Sequence, residues 1–362
     1  MSIVTPPITG ESPETAPPSA EDFAFQQEVL QQVSRTFALT IPQLPEELRV
    51  VVGNAYLLCR IADTIEDCEV LAFSEQQRFY KWFIAAAEGT ASPEEFAAAL
   101  HEQLGEDMLP AERELVRRTP AVLRITRSFH GDDQAALTRC IRIMSEGMEH
   151  FQARQAGAGL RDQRELDSYC YYVAGVVGEM LTELFCNHSE AAAQRREALS
   201  ELAVSFGQGL QMTNIIKDVW HDKERRVCWL PADAFGGDLE ALAEGKMDER
   251  FEAVLRELTA TARGHLENAL RYTLLIPASE TGIRQFCLWA LGMAVLTLRK
   301  IHRSRSYFSE GATVKISRNS VRATIAVSKV FGRSDRSLRV IFRLLTAALP
   351  KSPPPTPRAD QS

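Results

Sequence analysis

Long segments of this chain place apolar residues three and four positions apart, which is the spacing of an α-helix with a buried face. No segment shows sustained alternation of apolar and polar residues, so no β-strand is predicted. Proline and glycine mark where the helical segments stop. The predicted helices are 22–39, one that starts at Pro45 and continues through 67, 74–88, 93–104, 111–129 with a break or kink at Pro120, 132–155, one through 185 with Asp167 as its N-cap, 194–221, 249–275, 280–306 and 319–349.

The two ends of the chain differ in composition from the middle. Residues 1–20 and 350–362 are rich in proline and poor in large apolar residues, so both are predicted to be disordered. Residues 21–349 are predicted to form one all-α domain, a helical bundle, and contain no visible repeat of 20–50 residues.

Composition narrows the class of protein. The 362 residues carry a formal net charge of −7, which argues against a nucleic-acid binder that works by bulk electrostatics. The start of the chain lacks the apolar core of a secretory signal, and the longest apolar run, 286–298, is too short for a bilayer of roughly 30 Å. Seven scattered cysteines without a CxxC pair indicate reduced thiols. We therefore expect a cytoplasmic protein that is soluble or peripheral to a membrane.

The helix over 54–67 is apolar around most of its circumference, yet it carries three acids on one side. Asp63 and Asp67 are four residues apart, and Glu66 lies beside them. Burying unpaired like charges costs several kcal/mol, so a cation is expected between them. Mg²⁺, which takes oxygen ligands, is the simplest candidate.

A second apolar helix repeats this arrangement with Asp218 and Asp222. One such pair alone is weak evidence, because solvated helix faces contain them by chance. If the two helices face each other, four carboxylates surround a central cavity that could hold two or three Mg²⁺ ions and a diphosphate leaving group.

Bases and aromatic residues near these pairs fit the same chemistry. Arg60 lies one turn before Asp63, and Lys217, Arg225 and Arg226 flank the second pair. The alternatives are an ion pair between Arg60 and Asp63 and solvated charges at Arg225 and Arg226. An allylic cation would need aromatic faces, and the candidates, each of which is alternatively a core residue, are Phe37, Tyr56, Tyr169, Tyr172 and Phe206. Gly175 and Gly178 give a smooth helix face for either a hydrocarbon chain or a neighbouring helix.

These segments resemble the head-to-head prenyl synthases, the squalene and phytoene synthase family, over about 23–350. Ser34-Arg35-Thr36-Phe37 resembles the family's substrate loop, and Asp63-Thr64-Ile65-Glu66-Asp67 its first aspartate-rich motif. The stretches 169–175 and 214–218 resemble its central signature and second aspartate-rich motif. Residues 311–318 resemble a C-terminal segment that squalene synthases have and phytoene synthases generally lack.

The resemblance implies an isoprenoid-synthase-type bundle and the soluble bacterial squalene synthase type. Such enzymes condense two farnesyl diphosphates to presqualene diphosphate and reduce it to squalene with Mg²⁺ and NADPH. Tyr169 would be catalytic, together with the aspartates. By motif position the metal ligands would be Asp63, Glu66, Asp67, Asp218 and Asp222. The substrate-binding residues would be Ser34, Arg35, Phe37, Tyr56, Arg60, Val173, Gln211, Asn214 and Arg225. The NADPH-binding residues would be Asn214, Lys315 and Arg318.

The chain departs from the family pattern in three respects. His221 stands before Asp222 where relatives usually carry an acid, which lowers the negative charge and leaves the number of ions open. We expect no counterpart of the C-terminal membrane helix of eukaryotic squalene synthases, because a Pro-rich tail stands in its place. No GxGxxG motif follows a strand, so NADPH binding rests on the resemblance. The segment 319–349 is instead basic and amphipathic, so it is either a membrane-surface helix or an ordinary surface helix of the bundle.

Two alternative functions stay open at this point. A sister synthase would form hydroxysqualene, dehydrosqualene or phytoene without reduction. A catalytically silent family member would serve as an assembly or binding protein, although retention of all four aspartates argues against it. The oligomeric state is not fixed by the sequence, and a monomer is favoured.

Overall fold

The structure, a computed structural model, describes residues 17–34, 36–68, 70–105, 108–152, 159–225, 227–235, 249–304 and 314–352. These residues belong to two compact units, Met1–Ala153 and Arg154–Ser362. The all-α prediction is confirmed: across the described ranges the only extended pairing is a single bridge between Leu160 and Pro231.

The first unit is organised around its longest apolar helix. Its elements are α1 Ala20–Val33, α2 Phe37–Thr40, a 3₁₀ turn Ile41–Gln43, α3 Glu46–Glu66, α4 Phe73–Ala87, α5 Pro93–Gln103, α6 Pro110–Arg117, α7 Thr119–Ser128 and α8 Gly131–Gln152. Helix α3 packs against α1, α4, α6, α7 and α8. The buried amide of Asn54 in α3 donates to Gln26 Oε1 at 3.1 Å and to the Val122 carbonyl at 3.0 Å. This polar tie fixes α3 between α1 and α7, because a buried amide without partners would be costly.

The second unit is built around α12, which is 29 residues long. Its elements are α9 Gln163–Cys170, a π-helical turn Tyr171–Gly175, α10 Val176–His188, α11 Glu190–Ala193, α12 Arg196–Glu224, a 3₁₀ turn Asp233–Phe235, α13 Glu249–Leu275, α14 Thr281–Arg303, α15 Arg318–Phe331 and α16 Asp335–Thr346. Helix α12 packs against α9, the π-helical turn, α10, α13 and α14.

Glycines let α12 approach its neighbours to backbone contact. A Cβ on Gly178 would lie 2.2 Å from the Ala203 carbonyl oxygen, and one on Gly207 would lie 2.1 Å from the Ala174 carbonyl oxygen. A Cβ on Gly175 would lie 3.0 Å from Val204 Cγ1. Of the two alternatives for Gly175 and Gly178, the structure therefore shows the neighbouring helix.

Three predicted helix boundaries are wrong, and each error involves a side chain that caps the backbone. The first helix ends at Val33 instead of continuing to residue 39. The N-cap before the central signature is Asp162, whose carboxylate accepts from the Glu165 amide, and not Asp167. The single helix predicted over 319–349 is two helices, with a turn at Gly332 and a new N-cap at Ser334. The break near Pro120 is confirmed, because α6 and α7 are separate helices.

Helix α14 corrects the estimate made from the short apolar run. It is 23 residues long, and its most apolar 18-residue window has a mean hydropathy of 1.3, so by length and composition it could cross a membrane, yet 67% of that window is buried in the fold. It packs against α12, α13, α15 and α16, as a core helix of a bundle does. All seven cysteines are free thiols, and five of them are buried. The predictions of disorder fall mainly on 1–16 and 353–362, which lie outside the described residues.

Candidate active site

One side of α3 carries a continuous stripe of polar residues. Tyr56, Arg60, Asp63 and Asp67 follow one another at intervals of three or four residues, so they lie along the same face, with Asp67 as the C-cap. Each is partly accessible in a helix whose other sides are largely buried. The structure thus confirms the helical placement of the first aspartate pair.

Arg60 is the centre of this stripe. Its Nη1 lies 3.4 Å from Asp63 Oδ2, and its Nη2 lies 3.9 Å from Asp67 Oδ2 and forms a close ion pair with Glu112 of α6. Burial lowers the pKa of Arg60, but attraction to Asp63, Glu112 and Asp67 outweighs it, so the guanidinium stays charged. The ion pair between Arg60 and Asp63 proposed as the alternative is present, and Glu112 was missed by the sequence analysis.

The acids around Arg60 are not fully neutralised by it. Three carboxylates, those of Asp63, Asp67 and Glu112, approach one guanidinium. Loss of hydration, opposed by Arg60 and reinforced by the Asp67 charge, raises the pKa of Asp63 to about 6. The surplus of negative charge makes this face attractive to a cation.

The donor set fits Mg²⁺. The side chains of Asp63 and Asp67 are 37% and 35% exposed, so their oxygens can be reached from solvent. Mg²⁺ typically takes one or two carboxylates and completes its shell with water and substrate phosphates. Within the described ranges no group of three or more His, Cys, Asp or Glu forms a ready-made metal site. Glu66 is half-buried, and Gln76 and Gln152 donate to its backbone carbonyl.

The substrate-loop motif lies next to the upper end of the stripe. Ser34 Oγ accepts a hydrogen bond from the Phe37 amide at 2.9 Å, and the Phe37 and Tyr56 rings are 5.1 Å apart. The Tyr56 hydroxyl donates to the Val33 carbonyl at 3.0 Å, and burial raises its pKa. The structure therefore brings Ser34, Phe37 and Tyr56 together, while Arg35 lies outside the described residues.

Helix α12 carries a matching stripe in the second unit. Gln211, Asn214, Asp218 and Asp222 again recur at intervals of three or four residues. Lys217 Nζ lies 2.9 Å from Asp218 Oδ2 and donates to Asn214 Oδ1 at 3.3 Å. Asp218 and Asp222 are half-buried, whereas Asn214 is exposed. This stripe therefore also combines carboxylates with a cation.

His221 and Arg225 lie on the exposed end of α12. His221 Nδ1 is 3.7 Å from Glu224 Oε2, and Arg225 is the exposed C-cap. His221 thus lies beside an acid one turn further on, and its role at the second pair stays a prediction. Arg226 lies outside the described residues.

The central signature contains a π-helical turn and an aromatic stack. Residues Tyr171–Gly175, which include half-buried Val173, form the π-helical turn, a rare element often found at functional sites. Just before it, buried Tyr169 stacks on Trp229, with centroids 3.8 Å apart and an interplanar angle of 13°. Trp229 was missed, because it follows α12 and nothing in its local sequence links it to Tyr169.

The other aromatic candidates contact aromatic neighbours. Tyr172 packs edge-on against Tyr171 at 5.3 Å, and Phe206 against buried Tyr272 at 5.5 Å. Both side chains are half-buried, and their roles toward a cation stay predictions.

The two NADPH candidates of the C-terminal segment stand at the start of α15. Lys315 and Arg318 are both exposed, and the Lys315 carbonyl accepts from Lys300 Nζ at 2.5 Å. Ser317 between them caps α15 by accepting from the Ser320 amide. The rest of that motif, 311–313, is outside the described residues.

The described residues form an all-helical fold in which α3 and α12 each carry a stripe of aspartates, and this combination defines the class, an isoprenoid-synthase fold. The family model of squalene/phytoene synthase matches residues 30–320. The chain belongs to the squalene/phytoene synthase family and is a prenyl-transferring enzyme. A squalene synthase of Gibberella zeae is 27% identical over 345 residues, which cover 92% of this chain and 71% of that protein.

Solved structures agree with the family. The complex of TcSQS with the ligand E5700 has a TM-score of 0.72 and 26% identity, and the match covers 91% of this chain and 92% of that one. A dehydrosqualene synthase with a bound ligand has a TM-score of 0.59 and 23% identity, over 87% of this chain and 97% of that one. The second likeness concerns the fold alone, so the fold does not distinguish the two reactions.

Proposed function

We propose that the protein is a squalene synthase, which condenses two molecules of farnesyl diphosphate to presqualene diphosphate and reduces it to squalene with NADPH. The observation that carries the proposal is the α3 stripe: Tyr56, Arg60, Asp63 and Asp67 on one face, in a chain whose match to a squalene synthase extends over 92% of its length. A diphosphate site needs both a cationic hydrogen-bond donor and metal-binding carboxylates, and this stripe supplies them on a single rigid helix.

We assign each side chain the role that the family resemblance implies for its motif position. Arg60, which Glu112 holds in place, would bind diphosphate oxygens, and Tyr56 would line the site beside Phe37. Asp63 and Asp67, with Glu66 assisting, and Asp218 and Asp222 would hold Mg²⁺. The chemistry that bound Mg²⁺ supplies is neutralisation of the departing diphosphate. Asn214, Lys315 and Arg318 would bind NADPH, the source of the hydride.

Tyr169 would act on the organic part of the substrate. Its ring is buried and fixed by Trp229, so its position does not depend on a bound ligand. A positioned phenol can hold or move a proton where the first condensation forms its cyclopropane, and an aromatic ring attracts a cation over its face. The remaining substrate contacts, Ser34, Arg35, Val173, Gln211 and Arg225, stay predictions.

The competing proposal is a synthase that forms dehydrosqualene without reduction, because the fold is shared with a dehydrosqualene synthase and does not separate the two reactions. Product analysis by chromatography, with farnesyl diphosphate and Mg²⁺ and with or without NADPH, separates the two. A squalene synthase gives squalene only when NADPH is present. A product that is the same in both incubations would exclude the reductive reaction.

The assignment of the aspartates has its own test. Asp63→Asn and Asp218→Asn should each reduce diphosphate release at least about 100-fold, because removal of a metal-binding charge weakens stabilisation of the leaving group. Asp132→Asn, at an exposed position of α8, is the matched control and should keep full activity. Unfolding curves check that each variant is folded. Full activity in either site variant, or undiminished turnover after chelation with EDTA, would refute the assignment.

A further inference from the structure

The outer side of α15 and α16 is both cationic and apolar. We call it the C-terminal surface. Its apolar members, all exposed, are Val327, Val330, Phe331, Val340 and Leu344. Its basic members, also exposed, are Arg318, Arg322, Lys329, Arg333, Arg336, Arg339 and Arg343. Val327, Val330 and Phe331 recur at helical spacing, as do Val340 and Leu344, so the apolar side chains form ridges flanked by bases.

The opposite side of these helices is fixed to the fold. Trp289 Nε1 of α14 donates to Ser328 Oγ at 2.6 Å, and a Cβ on Gly292 would lie 2.5 Å from Thr324 Cγ2. Arg284, which is almost fully buried, donates to the Gly332 carbonyl at 3.0 Å and pairs with Asp335 at 2.5 Å. The inner side is therefore committed to α14, and the outer side is left as a rigid surface.

The charge of this surface is opposite to that of the chain as a whole. Between 318 and 350 there are seven bases and one acid, in a chain whose net charge is −7. The single acid, Asp335, is engaged by buried Arg284. None of the seven bases forms an ion pair with another residue in the ranges that the structure covers. Bases without acidic partners are available to an anionic surface.

We propose that the C-terminal surface docks the protein on an anionic lipid bilayer, with the bases against phosphate headgroups and the apolar ridges at the boundary between headgroups and acyl chains. A basic face that also exposes valine, phenylalanine and leucine is the composition of helices that lie in the interface plane. A second copy of this chain is the poorer occupant, because an isologous contact would place seven bases against seven bases. The inference does not depend on the proposed reaction, since binding is measured without substrate.

The expected size of the effect follows from charge and exposure. Each lysine or arginine close to an anionic membrane strengthens binding about fivefold. Loss of three arginines should therefore weaken binding on the order of 100-fold. Val330 and Leu344 are 73% and 69% exposed, so most of each side chain is available for insertion, and replacing both with serine should weaken binding at least about 30-fold.

The test is flotation of the full chain with two kinds of vesicle, one of phosphatidylcholine alone and one of phosphatidylcholine mixed with phosphatidylglycerol. The protein should float with the mixed vesicles, remain unbound with phosphatidylcholine, and dissociate as salt is added. The variants Arg336→Gln/Arg339→Gln/Arg343→Gln and Val330→Ser/Leu344→Ser should both lose flotation while their melting temperatures stay close to that of the parent chain.

Two control variants separate a local surface from a general effect. Val70→Ser/Leu109→Ser removes a valine and a leucine that are 67% and 57% exposed in the first unit. Arg250→Gln/Arg256→Gln/Arg271→Gln removes three exposed arginines of α13 and changes the net charge equally. Both should float like the parent chain. Absence of flotation with mixed vesicles, equal flotation with both vesicle types, or an equal loss in the controls would overturn the proposal. So would a lipid-independent dimer that the C-terminal variants abolish.

Discussion

The close contact between α12 and the central signature predicts that Gly207→Ala lowers the stability of the fold. Gly207→Ala adds a Cβ that would lie 2.1 Å from the Ala174 carbonyl oxygen and 2.5 Å from its carbon. An ordinary contact begins at 3.4 Å, and the obstructing atoms belong to the backbone of the π-helical turn. The substitution therefore forces α12 and that turn apart by about 1 Å.

The cost can be bounded from known substitutions. Overpacking costs about 1–3 kcal/mol, and a backbone obstruction belongs at the upper end. Alanine returns about 1 kcal/mol, because it is a better helix former than glycine. We expect a net loss of about 2 kcal/mol in the free energy of unfolding. For a unit of roughly 200 residues this corresponds to a fall of about 4–8 °C in Tm.

Thermal unfolding followed by circular dichroism measures this effect. The control is Gly131→Ala, at the first position of α8, where an added Cβ meets nothing within 4 Å. Its Tm should stay the same or rise slightly. Because Gly207 precedes the aspartate stripe on the same helix, Gly207→Ala should also lower the rate of diphosphate release below the melting point. A Tm within about 1 °C of the parent chain would show that the helices are not in backbone contact.

Two further predictions concern buried titratable side chains. Glu112→Gln should lower the free energy of unfolding, measured in urea, by about 2–3 kcal/mol, because it removes a buried partner of Arg60. The control, Glu114→Gln, breaks an exposed pair with Arg117 and should lower it by about 0–1 kcal/mol. Equal effects of the two substitutions would contradict the buried pair. Burial lowers the pKa of His265 from 6.5 to about 4, so the unfolded chain binds the proton first as pH falls. The contribution of neutral His265 to the free energy of unfolding should be fully present above pH 6.5 and should fall by about 3 kcal/mol between pH 6.5 and pH 4. In the variant His265→Asn this pH-dependent loss should be absent. If the urea midpoint of His265→Asn depended on pH as that of the parent chain does, the role of His265 would be refuted.

The number and type of elements could be predicted because the apolar period of a helix is written within each segment. The ends could not be predicted as well, since they depend on which side chain caps the backbone. Ser34 Oγ accepts from the Phe37 amide and Ser334 Oγ from the Ser337 amide, and both end or restart a helix that the apolar pattern alone would continue. Asp162 and Asp167 are equally good caps by composition, and only the backbone conformation selects Asp162.

In the candidate site, too, features within one helix could be predicted, whereas contacts between helices could not. The stripes on α3 and α12 could be predicted, because residues three and four apart share a face of one helix. Partners on other helices could not: Glu112 is 52 residues from Arg60, and Trp229 stacks on Tyr169 across a similar separation. Such contacts depend on how helices pack, which a single sequence does not contain.

Glu112 changes what Arg60 can do. An arginine paired only with Asp63 on its own helix would be a flexible surface charge, and binding a diphosphate would cost the entropy of fixing it. Here the guanidinium is held from a second helix, α6, by an acid that is itself buried, while Asp63 and Asp67 remain partly open to solvent. The cation is thus positioned before any ligand arrives, and part of the ordering cost is met during folding. A substitution at Glu112 should therefore weaken substrate binding as well as stability, although Glu112 itself need not touch the substrate.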